Sequence, residues 1–113
     1  MGEAEILDRL FGVIRERAEQ RPEGSYVVQL LDGGLPRIAA KLREETEELI
    51  EAAGEDDRDH TAREAADLLF HVWVLLGAAG LSPDDVYGVL GERFGIGGLA
   101  EKATRAERKG AED

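Results

Sequence analysis

Cysteine is absent from the 113 residues. That excludes disulfides, thiolate metal sites and cysteine nucleophiles together, and leaves oxygen atoms as the plentiful metal-binding groups. Positive charge is scarce. Fourteen Lys and Arg stand against 25 Asp and Glu, a formal charge of -11, so the basic footprint needed for nucleic acid or an anionic membrane is missing. Long hydrophobic runs are lacking as well. The longest apolar stretch, Leu68 to Ala79, falls short of the roughly 20 apolar residues of a transmembrane helix. Residues 1–10 are acidic and amphipathic, with no basic segment leading into an apolar run, and do not read as a signal peptide. The expectation is a soluble, cytoplasmic chain with neither nucleic-acid nor membrane partners, long enough for one domain with a small core.

Helical periodicity dominates. Ile6, Leu10, Val13, Ile14 and Ala18 recur at helical spacing until Arg21-Pro22-Glu23-Gly24 breaks the pattern. Ser25 can cap a short helix over Tyr26 to Leu31; its β-branched content would also suit a strand, but no second strand signal exists to pair with it. Asp32-Gly33-Gly34 ends that segment, and Pro36 opens a helix predicted to run to Ala53. Glu55 to Asp59 reads as an acidic loop before a helix from about His60 to Ala79. That helix is apolar nearly all round beyond Ala65, as expected of the buried centre of a fold. Ser82-Pro83-Asp84-Asp85 starts a last helix with Val86, Val89, Leu90 and Phe94 inward. The fold class is therefore all-α, a bundle of about four to five helices over residues 1–95, followed by a polar tail over 96–113.

Carboxylates supply the chemistry. Ile38, Leu42, Glu45, Leu49 and Ala52 define one inward stripe, with Glu45 in its middle. At about 100° per residue, Lys41, Glu44, Glu45 and Glu48 share a flank while Glu47 points away. Glu64, Asp67 and His71 fall on one face of the next helix. No Lys or Arg occurs between Ala65 and Ala79 to neutralise them. Two like charges about 5 Å apart repel by roughly 3 kcal/mol at an effective dielectric near 20. Four facing carboxylates would need a counterion, and Mg²⁺ with oxygen ligands is the natural one. Each residue also has an ordinary reading. Glutamate runs are common on solvated helix faces, so Glu44 to Glu48 alone say little. Thr61-Ala62-Arg63-Glu64 matches a capping box, which would occupy Glu64 with a backbone N–H. Asp67, between Ala66 and Leu68, has poor mid-helix propensity and an apolar setting, which favours a functional role. His71 reads as a hydrogen-bonded histidine beside the site rather than a ligand.

Glu-Glu-x-x-Glu at 44 to 48 and Glu-x-x-Asp at 64 to 67, with 15 residues between, resemble the signature of the all-α nucleoside triphosphate pyrophosphatase superfamily. Pro22-Glu23-Gly24-Ser25-Tyr26, Lys41-x-x-Glu44-Glu45, Glu64 to His71, and Gly80-Leu81-Ser82 with Asp85-Val86 are similar to one branch, the phosphoribosyl-ATP pyrophosphohydrolases of histidine biosynthesis. The resemblance implies hydrolysis of phosphoribosyl-ATP to phosphoribosyl-AMP and pyrophosphate. It implies Mg²⁺ on Glu45, Glu48, Glu64 and Asp67, with Glu44 joining or supporting these catalytic acids. It further implies Lys41 and Arg37 toward phosphate, Ser25 and Tyr26 toward ribose or base, and a homodimer that completes the bundle. Plain surface ion pairing is the alternative for Lys41 and Arg37, and capping and packing for Ser25 and Tyr26. Arg43 and Val27 depart from the small residue and Thr usual in that family.

Two rivals stand beside this reading. One is a MazG-like pyrophosphohydrolase of free or damaged nucleotides, using the same metal chemistry. The other is a non-catalytic helical dimerisation module whose acids only solubilise it. A di-iron bundle is set aside, because no Glu here is followed three positions later by His.

Overall fold

The computed structural model describes residues 5–95; the polar tail expected over 96–113 lies outside them. The chain divides into two compact units between Leu81 and Ser82. The first holds α1 (Ile6–Gln20), α2 (Tyr26–Gly54) and α3 (Arg58–Ala78); the second holds α4 (Pro83–Phe94). The described residues contain no strand, so the segment from Tyr26 is helical and the fold is all-α.

In the first unit α2 and α3 share the largest interface, and α1 packs on both. α1 buries Phe11 and Ile14. Ile6 and Val13, expected inward, are exposed, because Phe11 and Ile14 point the buried face between them. The helix stops at Arg21, whose left-handed backbone (φ 50) lets its N–H reach Arg17 O. Trp73 Nε1–H donates to Leu7 O at 2.9 Å, fastening α3 to α1.

Ser25 caps α2, its Oγ accepting from Val28 N–H at 3.3 Å. The predicted interruption is real. Gly34 (φ 71, ψ −171) leaves helical geometry, so α2 is two helical segments that meet at a kink rather than one continuous rod. A Cβ at neighbouring Gly33 would lie 2.5 Å from Arg37 Cδ, so glycine there makes room for the Arg37 stem. Beyond the break, Ile38, Glu45 and Ala52 are buried and Leu42 and Leu49 half-buried, as the stripe predicted.

α3 begins two residues earlier than expected. Asp57 is its cap, with Oδ1 accepting from His60 N–H at 3.1 Å. Thr61 Oγ–H is spent on Asp57 O at 2.7 Å, so the Thr61–Glu64 capping box does not form and Glu64 is left free of backbone duty. α3 buries His71, Trp73 and Val74. It is not covered all round within one chain: Leu69 is 43% exposed, and Ala66 and Ala78 are open.

In the second unit, Ser82 N–H donates to Asp85 Oδ2 at 2.9 Å, closing the first turn of α4. Val89, Leu90 and Phe94, expected inward, are exposed.

Candidate metal centre

The α2 stripe and the α3 face meet where their acids lie. One carboxylate oxygen from each of Glu45, Glu48 and Glu64 falls within 4.8 Å of the others. Glu45 is the interior member at 8% exposure; Glu48 and Glu64 are half-buried. Glu45 Oε2 and Glu64 Oε1 are buried without any hydrogen-bond partner. Glu64 Oε2 meets His60 Nε2 at 3.1 Å. An i, i+4 pair of this kind is readable in sequence, and His60 is the neighbour of the site that sequence reasoning passed over.

Burial pushes the Glu45 carboxyl up to about 7, reinforced by the neighbouring Glu64 carboxyl and by the charges of Glu48, Asp67 and Glu64. Holding Glu45 neutral relieves part of the repulsion. A divalent cation would do so more completely. Two orphaned buried carboxylate oxygens with a third in reach form an all-oxygen donor set of the kind a hard cation takes, so the residues present fit Mg²⁺.

The other candidates are placed differently. Asp67 is exposed, not interior. It lies outside the trio, although its charge reaches Glu45. Glu44 is exposed and turned to Lys41, whose Nζ lies 3.2 Å from Glu44 Oε2. That pairing is the first cause of a raised Lys41 pKa, with Tyr26, Glu44 and Glu45 adding their charges. Arg37 is exposed, one turn before Lys41. Ser25 is engaged as the α2 cap.

Tyr26 has a partner that no local pattern announces. Its hydroxyl lies 2.9 Å from Nε2 of His71, 45 positions away. Its ring stacks on Phe70 at 6.0 Å between centroids. His71 Nδ1 is 2.7 Å from Asp67 O.

Fold and site thus define an all-helical protein in which three acids from two helices converge on an all-oxygen donor set of the kind a hard cation takes. The chain belongs to the phosphoribosyl-ATP pyrophosphohydrolase family, which it matches over residues 7–94. It is 49% identical over 106 residues to a phosphoribosyl-ATP pyrophosphatase of Rhodopirellula baltica, covering 91% of this chain and 88% of that protein. Its identity to the enzyme of the same name in Geobacter sulfurreducens is 44% over 103 residues, covering 91% and 95%. It is also 47% identical over 93 residues to the histidine biosynthesis bifunctional protein HisIE of Deinococcus radiodurans, covering 82% of this chain and 43% of that longer protein.

Proposed function

We propose that the chain hydrolyses phosphoribosyl-ATP to phosphoribosyl-AMP and pyrophosphate in histidine biosynthesis, with Mg²⁺ held by Glu45, Glu48 and Glu64 and with Asp67 at the rim of the same site. The observation that carries the proposal is the convergence of the three carboxylates, two of them ending in buried oxygens without partners, in a chain of this family. When bound, the cation supplies charge neutralisation at the phosphate oxygens and a coordinated water of lowered pKa.

The chain's own residues supply the rest. Lys41, one helical turn before Glu45 and held charged by Glu44, is a mobile point charge for a phosphate oxygen. Arg37 extends the same cationic flank by a further turn. Glu45, whose carboxyl sits at about 7 without the cation, would give up that proton on binding one, so cation uptake near neutral pH is coupled to proton release. Glu44 supports this face through Lys41 rather than by converging with the trio.

A homodimer belongs to the same proposal. The open side of α3, with Leu69 exposed, and the exposed Ile50 of α2 are apolar surface that a second copy would cover. A cytoplasmic location is proposed with it, since the substrate is built from ATP. The test is pyrophosphate release with Mg²⁺ from phosphoribosyl-ATP and from a panel of ordinary nucleoside triphosphates. Faster release from the ordinary nucleotides would transfer the chain to the MazG-like reading. Glu48→Gln should abolish release from whichever substrate is preferred.

A further inference from the structure

The proton positions around His71 can be deduced from what its partners are able to do. Nδ1 lies 2.7 Å from the backbone carbonyl oxygen of Asp67. A carbonyl only accepts, so Nδ1 carries the hydrogen. In a neutral imidazole the other nitrogen is then bare. Nε2 therefore accepts, and the Tyr26 hydroxyl 2.9 Å away donates to it. The hydroxyl hydrogen is thereby used inside the protein, and the phenolic oxygen has only lone pairs to offer outward.

The arrangement is rigid on one side and open on the other. His71 is buried, with its ring edge-on to Phe70 at 5.0 Å. Tyr26 stacks on the same Phe70 at an interplanar angle of 18° and yet is 38% exposed. Tyr26 is the first residue of α2, and its link through His71 to the Asp67 carbonyl ties it to the face of α3 that carries Glu64 and Asp67. Its oxygen thus belongs to the face that carries the acids and the lysine.

We propose that His71 is a positioning residue that fixes the polarity of the Tyr26 hydroxyl, so that this position accepts an O–H or N–H of the bound nucleotide and turns away its phosphates. A phosphate oxygen has no hydrogen to give and would face lone pairs. Seating one there requires the hydroxyl to rotate and leave a buried Nε2 without a donor, which is unfavourable. Phosphate is thus confined to the lysine and acid side of the site. The proposal rests on reading this face as the nucleotide site, and it adds the sense of one hydrogen bond and the residue that sets it.

The first test does not involve catalysis. Long-range proton–nitrogen correlation NMR on protein labelled with ¹⁵N-histidine, at alkaline pH, should show His71 with Nδ1 protonated and Nε2 bare; a His60→Gln sample assigns the two histidines. Tyr26→Phe should move the Nε2 resonance and leave Nδ1 in place. A hydrogen on Nε2 would overturn the proposal, whatever the protein's substrate.

The second test is kinetic. Tyr26→Phe keeps the stacked ring and should raise KM for phosphoribosyl-ATP about tenfold, a single hydrogen bond's worth at about 1.4 kcal/mol per decade, with kcat within twofold. His71→Gln, checked for folding by its melting curve, should raise KM similarly and add little when combined with Tyr26→Phe. An unchanged KM in Tyr26→Phe, or fully additive losses, would refute the positioning role. Phosphoribosyl-2′-deoxy-ATP separates the two donor sources. If Tyr26→Phe costs nothing further with this analogue, the donor is that ribose hydroxyl; if the full loss persists, it is another hydroxyl or an N–H of the base. Failure of the wild type to hydrolyse phosphoribosyl-ATP would sink the functional reading alone, since the tautomer measurement stands apart from it.

Discussion

Replacing Glu45 by glutamine removes the charge that the metal-free fold tolerates least while keeping the shape of the side chain. The folded carboxyl titrates at about 7 against an ordinary value of 4.5. The folded state therefore holds a proton that the unfolded chain has already lost between those two values. Stability conferred by this group is complete below about 4.5 and falls as pH rises through about 7. The gap, at about 1.4 kcal/mol per pH unit, amounts to about 3 kcal/mol once Glu45 is ionised. Glutamine has no proton to lose, and its amide N–H can donate to the orphaned Glu64 Oε1. With a chelator present at pH 8, Glu45→Gln should be more stable than the wild type by up to about 3 kcal/mol, or roughly 10 °C in Tm at this size. At pH 5 the two should nearly coincide, because the wild-type carboxyl is then protonated. Urea unfolding followed by circular dichroism at both pH values measures this. A wild type whose metal-free stability is flat from pH 5 to 8, or a glutamine variant weaker at pH 8, would refute the assignment of Glu45 as a buried, uncompensated acid.

Three further outcomes follow from the same structure. Added Mg²⁺ should raise the Tm of the wild type, by about 2.7 kcal/mol of stability at 100 times its Kd; in Glu48→Gln, calorimetry and thermal melts should show that rise lost. Asp57→Ala removes the α3 cap and should cost about 1 kcal/mol in urea unfolding, whereas Thr61→Ala, whose hydroxyl only back-bonds within the helix, should cost less. Leu69→Lys, on the open side of α3, should convert the proposed dimer to a monomer in sedimentation equilibrium; a wild type that already sediments as a monomer would remove dimerisation from the reading.

What the sequence made legible divides along physical lines. Periodicity located all four helices and the α2 stripe, because Ile38, Glu45 and Ala52 are buried by contacts that depend on helical spacing alone. The break near Gly34 was readable from Gly33-Gly34 and Pro36, since backbone chemistry acts locally. The start of α3 was less so: the Thr61–Glu64 pattern suggested a capping box, whereas the helix begins earlier, on the Asp57 cap. Outward and inward faces were misjudged wherever a helix lacks neighbours. Val89, Leu90 and Phe94 on α4 and Asp67 on α3 looked interior because their own helices are apolar, but burial requires a partner surface that a one-dimensional pattern does not contain. Tyr26 and His71 meet across 45 positions, a contact set by how α2 lies on α3 and by nothing local.

The site reads as an electrostatic partition. Glu45 is the buried acid; Glu48 and Glu64 stand higher and half-buried. Ionising the interior member costs the most, and it is also the member for which a bound cation recovers the most, since attraction between charges grows as water is excluded. An acid set spread evenly over the surface would cost the fold little and would hold a cation weakly. Concentrating the cost at one buried carboxyl makes the metal-free fold sensitive to the ionisation of Glu45 and, on the proposed reading, makes cation binding and fold stability one linked equilibrium. Lys41 beyond the acids offers positive charge and, on the proposed reading, Tyr26 offers only lone pairs. On that reading a nucleotide entering the site would be sorted by charge before shape matters: its phosphates would be drawn to the cation and the lysine, and its neutral hydrogen-bond donors to the tyrosine.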